Sequence, residues 1–137
     1  SFLLFMKKTL FALLAVILVF ATACEKDKSS KKTVVTINVK NGSGINQSGV
    51  DVYMYSKTVF TVQGNDPFFA GKTSTTDASG NAEFDIKTPD DVLWTPSNTS
   101  EELYFGVVYK IGSVSKEKHV VITVSEGDKK SSSLVMN

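Results

Sequence analysis

The stretch Lys72-Thr73-Ser74-Thr75-Thr76-Asp77-Ala78-Ser79-Gly80-Asn81-Ala82-Glu83-Phe84-Asp85-Ile86 decides the fold class. Its first segment is short, polar and rich in β-branched threonine, a composition that suits an extended strand. Its last segment alternates Ala82, Phe84 and Ile86 with Glu83 and Asp85, the period of a strand with one face in a core and the other in water. Between them, Asp77-Ala78-Ser79-Gly80 is turn chemistry, an acid that can bond its own backbone followed by a glycine open to positive φ. The pattern predicts a β-hairpin.

Toward the N-terminus, Val35, Ile37 and Val39 alternate with Thr36, Asn38 and Lys40, predicting a strand from Thr33 to Lys40. After the turn residues Asn41-Gly42-Ser43-Gly44 and Gln47-Ser48-Gly49, a second strand has Val50, Val52 and Met54 facing inward and Tyr53 and Tyr55 on the opposite face. Lys57 to Val62 reads as a continuation of this strand past a bend, or as a short strand of its own. Gly64-Asn65-Asp66-Pro67 breaks it, because proline cannot donate to a ladder. Phe68 and Phe69 are expected to tuck beneath the sheets as a lid on the core.

Toward the C-terminus, Lys87 to Ser100 forms a long loop holding Trp94, the only tryptophan, expected to plug one end of the domain. Leu103 to Tyr109 is nearly all apolar, as befits a central strand. The remaining strands are Lys118 to Val124 and Ser131 to Met136, with a hairpin turn expected at Glu126-Gly127-Asp128. Seven or eight short strands with regular turn punctuation and no helical period predict an all-β, Ig-like or transthyretin-like sandwich over 33–137.

Thr76, Asp77, Gly80 and Phe84, preceded by the strand entry Gly49-Val50-Asp51-Val52, resemble the motif of the carboxypeptidase regulatory-like domain. That family is a transthyretin-type β-sandwich, so the resemblance implies the same two-sheet fold here.

At the other end of the chain, Lys7-Lys8, the apolar run Leu10 to Ala21 and the small residues Thr22-Ala23 form the three-part pattern of a cleaved secretory signal, residues 1–23. Met6 is expected to be the true start. The run is shorter than the ~20 apolar residues a membrane span needs. Ala21-Thr22-Ala23-Cys24 resembles the lipobox of bacterial lipoproteins, with Ala21 where that family carries leucine. The resemblance implies cleavage before Cys24, the only cysteine, and attachment of a diacylglycerol to its thiol. Glu25 to Lys32 contains no apolar residue and is expected to be a flexible tether. Extended, eight residues reach at most ~25 Å, so the domain is expected to stay close to an outer membrane, in the periplasm or at the cell surface.

Composition narrows the chemistry. Lysines number 15 against 14 acids, a formal charge of +1, and loss of Lys7 and Lys8 leaves 13 against 14, or −1. A near-neutral domain without a single arginine lacks both the basic field of a nucleic-acid binder and the bidentate fork that reads phosphate. No nucleic-acid partner is expected. One histidine, His119, and one thiol do not make a zinc site or a nucleophile–base pair. Asp77, Ser79, Asn81 and Glu83 present alternating oxygens, yet the turn explains Asp77, so no metal, cofactor or catalytic residue is assigned. The expected role is that of a non-enzymatic binding, adhesive or accessory module, touching the membrane through Cys24 and a glycan or protein ligand elsewhere. Candidate ligand-surface residues are Tyr53, Tyr55, Phe68, Phe69 and Trp94. The alternatives are a periplasmic structural lipoprotein supporting an envelope complex, and a hydrolase using Asp90, Asp91, Glu101 and Glu102.

Overall fold

A computed structural model of the chain describes residues 32–137. The signal stretch, Cys24 and the tether up to Lys31 lie outside the described residues. Seven strands follow in order: β1 (Thr33–Asn41), β2 (Asp51–Ser56), β3 (Lys72–Thr75), β4 (Asn81–Ile86), β5 (Ser100–Ile111), β6 (Val114–Ser125) and β7 (Lys129–Met136). They form two sheets, one ordered β4-β1-β7 and the other β3-β2-β5-β6. The described residues are therefore an all-β, two-sheet sandwich.

The alternating apolar residues meet between the sheets. Val35, Ile37 and Val39 from β1, Val52 and Met54 from β2, Phe84 and Ile86 from β4 and Leu103, Phe105 and Val107 from β5 are all buried there. Phe84 and Phe105 close the centre edge to face, 5.0 Å apart at 64°, a geometry that places one ring's positive edge on the other's negative face. The apolar run in β5 fits an interior strand, flanked by β2 and β6.

The stretch from Lys72 to Ile86 contains two strands but is not a hairpin. β3 pairs with β2, and β4 pairs antiparallel with β1 from Thr33↔Ile86 to Asn38↔Asn81, so the turn at Asp77 carries the chain from one sheet to the other. Three residues of the Thr-Asp-Gly-Phe pattern hold this corner, and the fourth, Phe84, lies in the core. The buried Thr76 hydroxyl donates to Gln47 O at 2.6 Å and accepts from Val50 N at 2.9 Å. Asp77 Oδ1 accepts from the Ser79 and Asn81 amides. Gly80 has φ of 79°, and a Cβ there would lie 2.8 Å from Asn46 Cβ and 3.0 Å from Val39 O. The turn at Glu126-Gly127-Asp128 is likewise a crossing between sheets: β7 runs parallel to β1, and Gly127 N donates to Thr33 Oγ1 at 2.8 Å.

Residues 57–63 are not a strand. They form one helix, α1 (Lys57–Gln63), capped by the Ser56 hydroxyl on Val59 N and ended by Gly64 at φ 68°. Ser56 satisfies an orphan amide of the first turn and Gly64, at positive φ with ψ of −157°, donates its N–H to Phe60 O to close the last, which outweighs the strand preference of Thr58, Val59 and Val62.

Candidate functional site

Three places on the sandwich carry more than packing. The first is the outer face of the four-stranded sheet. The period-two rule places Tyr53 and Tyr55 there, but Tyr55 is fully buried and no part of the surface. α1 lies over it: Phe60 meets Tyr55 edge on at 5.5 Å, stacks on Tyr104 at 4.6 Å and leans on His119 at 4.7 Å. His119 is thus an exposed strand residue with an aromatic neighbour on one side.

The loop after α1 is fixed to this face by Asn65, which sequence reasoning read only as part of a turn. Its carboxamide occupies the space above Gly106, accepts from Tyr55 Oη at 3.1 Å and donates to Val107 O at 3.3 Å and Lys118 O at 3.1 Å. The signal for it in the sequence is a glycine in the middle of an otherwise apolar strand, which marks a close approach by another group. Burial pushes the Tyr55 hydroxyl up to about 12, with the Asp66 carboxylate adding to it. Tyr53, half-buried on the same face, is raised by burial and by Asp51.

The second place is the end of the sandwich at which the chain enters at Thr33. Here the 87–99 loop folds inward so that Val92 is buried and Trp94 packs half-buried against the core. Trp94 forms one wall of an open cleft of about 390 Å³ whose other walls include Asn98, Ser125 and Glu126. Phe68 and Phe69 stand at the same end on a 3-10 turn, Pro67–Phe69, capped by Asp66. They are not a lid on the core: Phe68 is 86% exposed and Phe69 39%. Val92 and Trp94 already close that end of the core, so the two rings touch each other, edge to face at 5.0 Å, and point outward.

Three of the four loop carboxylates at this end hold structure. Asp91 Oδ2 accepts from Lys72 Nζ at 2.9 Å and from Lys87 N at 2.8 Å. Glu102 pairs with Lys57 at 2.9 Å, a hydrogen bond that raises the Lys57 ammonium, and Glu101 accepts from Asn98 Nδ2. The Asp77 carboxylate is engaged by backbone amides at the corner, on the far side of the sandwich from these loops. Among the described residues no group of three or more His, Cys, Asp or Glu side chains is placed to hold a metal ion, and no helix is long and apolar enough to cross a membrane.

The third place is the opposite end. β2 pairs with β5 only over Leu103–Gly106, so the ladder beyond Gly106 joins β5 to β6 alone and forms a two-stranded arm. Val108, Ile111 and Val114 are exposed on it. An open cleft of about 460 Å³ runs along the arm between Val108–Lys110 and Ser115–Glu117. Tyr109 Oη and Lys116 Nζ both donate to Asn137 O, which ties the arm to the end of β7.

No protein-family model matches the chain, and no curated protein matches its sequence. Among solved structures, the crystal structure of an (S)-allantoin synthase aligns at 11% identity with a TM-score of 0.48, over 77% of this chain and 40% of that one.

Proposed function

We propose that this chain is an exported bacterial lipoprotein, fastened to the outer membrane through Cys24, whose domain is a non-catalytic binding or adhesive module of the carboxypeptidase regulatory-like, transthyretin-type kind. The observation that carries the reading is the opposition of the two ends. The chain arrives from Cys24 at Thr33, beside the β6–β7 turn, and the β5–β6 arm projects from the other end. Twelve residues of β6 separate the two, roughly 36 Å along the strand. Tethering at Thr33 leaves the arm, at the other end, the part of the domain with the longest reach from the anchor. The arm is the ligand-engaging part, because an exposed two-stranded ribbon offers unpaired backbone groups and aliphatic side chains to a protein partner that adds a strand. The corner built by Thr76, Asp77 and Gly80, with Phe84 in the core after it, supports the transthyretin-type assignment.

Membrane fractionation tests the anchor. Wild-type protein is expected to stay with membranes through a high-salt wash and Cys24→Ser to be released; equal retention of both overturns the reading. Protease added to whole cells then separates its two forms. Digestion of the arm places the module at the cell surface, and protection makes it a periplasmic support for an envelope complex.

A further inference from the structure

Resting on the anchor reading, we propose that the tether end of the sandwich is itself a lipid-contacting surface. Phe68, Phe69, Leu93 and Trp94 lie at the headgroup and upper acyl boundary of the phospholipid bilayer that holds Cys24. Three features of the domain converge on this end.

The first is where the chain enters. Eight residues separate Cys24 from Thr33, and even fully extended they hold Thr33 within ~25–30 Å of the bilayer. The end carrying Thr33 is therefore the one the tether keeps within reach of the lipid.

The second is what that end exposes. Phe68 is 86% and Leu93 57% exposed. They stand on two different loops brought to one place by Asp91, which is bonded to Lys72 directly after the Phe69 loop and lines a small cleft with Phe69 itself. The exposed apolar side chains of the opposite arm are all aliphatic, whereas this end carries three aromatic rings. Tryptophan favours the membrane interface, where one edge meets acyl chains and the other headgroups and water, and phenylalanine and leucine bury in the upper acyl boundary beneath it.

The third is charge. The four ion pairs found among the described residues all ring this end: Lys32–Asp85, Lys57–Glu102, Lys72–Asp91 and Lys130–Asp128. Three of them are largely exposed and contribute little to stability, while Lys72–Asp91 is partly buried. A lone charge approaching the acyl region is costly and a neutralised pair much less so. Lys87, Asp90, Glu126 and Lys129 at the same end are exposed outside these pairs and stay on the headgroup side, so only the apolar tips reach the acyl boundary.

Trp94, the only tryptophan, is a built-in reporter. The full lipidated protein, purified from membranes, is reconstituted into phosphatidylcholine vesicles with ordinary or brominated acyl chains. The expected result is loss of Trp94 emission with brominated lipid, reversed in Phe68→Ser/Leu93→Ser, whose exposed side chains leave the fold intact. Protein that sediments with the vesicles but is not quenched overturns this inference and leaves the anchor standing. Protein that does not sediment overturns the anchor reading, and this inference with it. Emission unaffected by bromine but shifted by added chitotetraose also overturns it, and reassigns the Trp94 cleft to glycan.

Discussion

Replacing Gly106 by alanine tests whether Asn65 pins the α1 loop to the sheet. A Cβ on Gly106 would lie on the Asn65 carboxamide, 2.6 Å from Nδ2 and 2.7 Å from Cγ. The amide must leave, and its three hydrogen bonds leave with it: Tyr55 Oη loses its acceptor inside a buried site, and Val107 O and Lys118 O lose a donor. A net hydrogen bond contributes roughly 0.5–1.5 kcal/mol and a buried group left without a partner costs ~1–3 kcal/mol, so the loss is about 3 kcal/mol. Asn65→Ala removes the same bonds and is expected to cost the same. The decisive variant is the double one. With the carboxamide gone, the three atoms nearest a Cβ at 106 go with it, and alanine is better than glycine in a strand by about 0.5–1 kcal/mol. Gly106→Ala is therefore destabilising in the wild type and neutral or stabilising in Asn65→Ala. Urea unfolding followed by Trp94 emission and far-ultraviolet dichroism reads this. At an m-value of about 1.5 kcal/mol/M each single variant lowers the midpoint by about 2 M. The double variant matches Asn65→Ala or exceeds it. Additive losses, which make the coupling zero, refute the pin.

Alkaline titration gives a second test. Burial holds the Tyr55 hydroxyl up at about 12, above the ~10 of an exposed tyrosine. The unfolded chain ionises first, so the stability this residue contributes is complete below pH ~10 and is lost as pH rises from about 10 to 12. Tyr55→Phe is expected to flatten that part of the stability curve, measured by urea midpoints across the range. At the corner, Gly80→Ala is expected to cost more than Gly112→Ala in thermal unfolding. Both glycines have positive φ, but a Cβ at 80 meets Asn46 and Val39 while one at 112 meets nothing within 4 Å. Phe84→Ala opens the centre of the core against Phe105 and is expected to cost ~3–5 kcal/mol, lowering the urea midpoint by about 2–3 M at the same m-value.

Period-two alternation was readable wherever a strand has one face in the common core: β1, β2 and β4 lie within one or two residues of their expected bounds. What the alternation does not carry is partner choice. The two halves of Lys72–Ile86 look alike whether they pair with each other or with β2 and β1, because the turn at Asp77 satisfies its own backbone in either case. Tyr55 obeys the rule for its strand and is still buried, since the segment directly after the strand folds back over the outer face. That cover is a seven-residue helix of β-branched residues, and its existence rests on the caps at Ser56 and Gly64 rather than on propensity. Trp94 packs as expected against one end of the core, while Phe68 and Phe69, expected as a lid, face outward because Val92 and Trp94 close that end. The lower half of β6, Val114 to Lys118, is polar and charged on both faces and has no core to announce it.

The account turns on Cys24, and the intact mass of the mature protein extracted from membranes tests it most directly. The predicted result is a chain beginning at Cys24 and heavier than its sequence by a diacylglyceryl group, with or without a further acyl chain on the new amino group. A free Cys24 thiol, or a chain that still carries residues before it, contradicts the account.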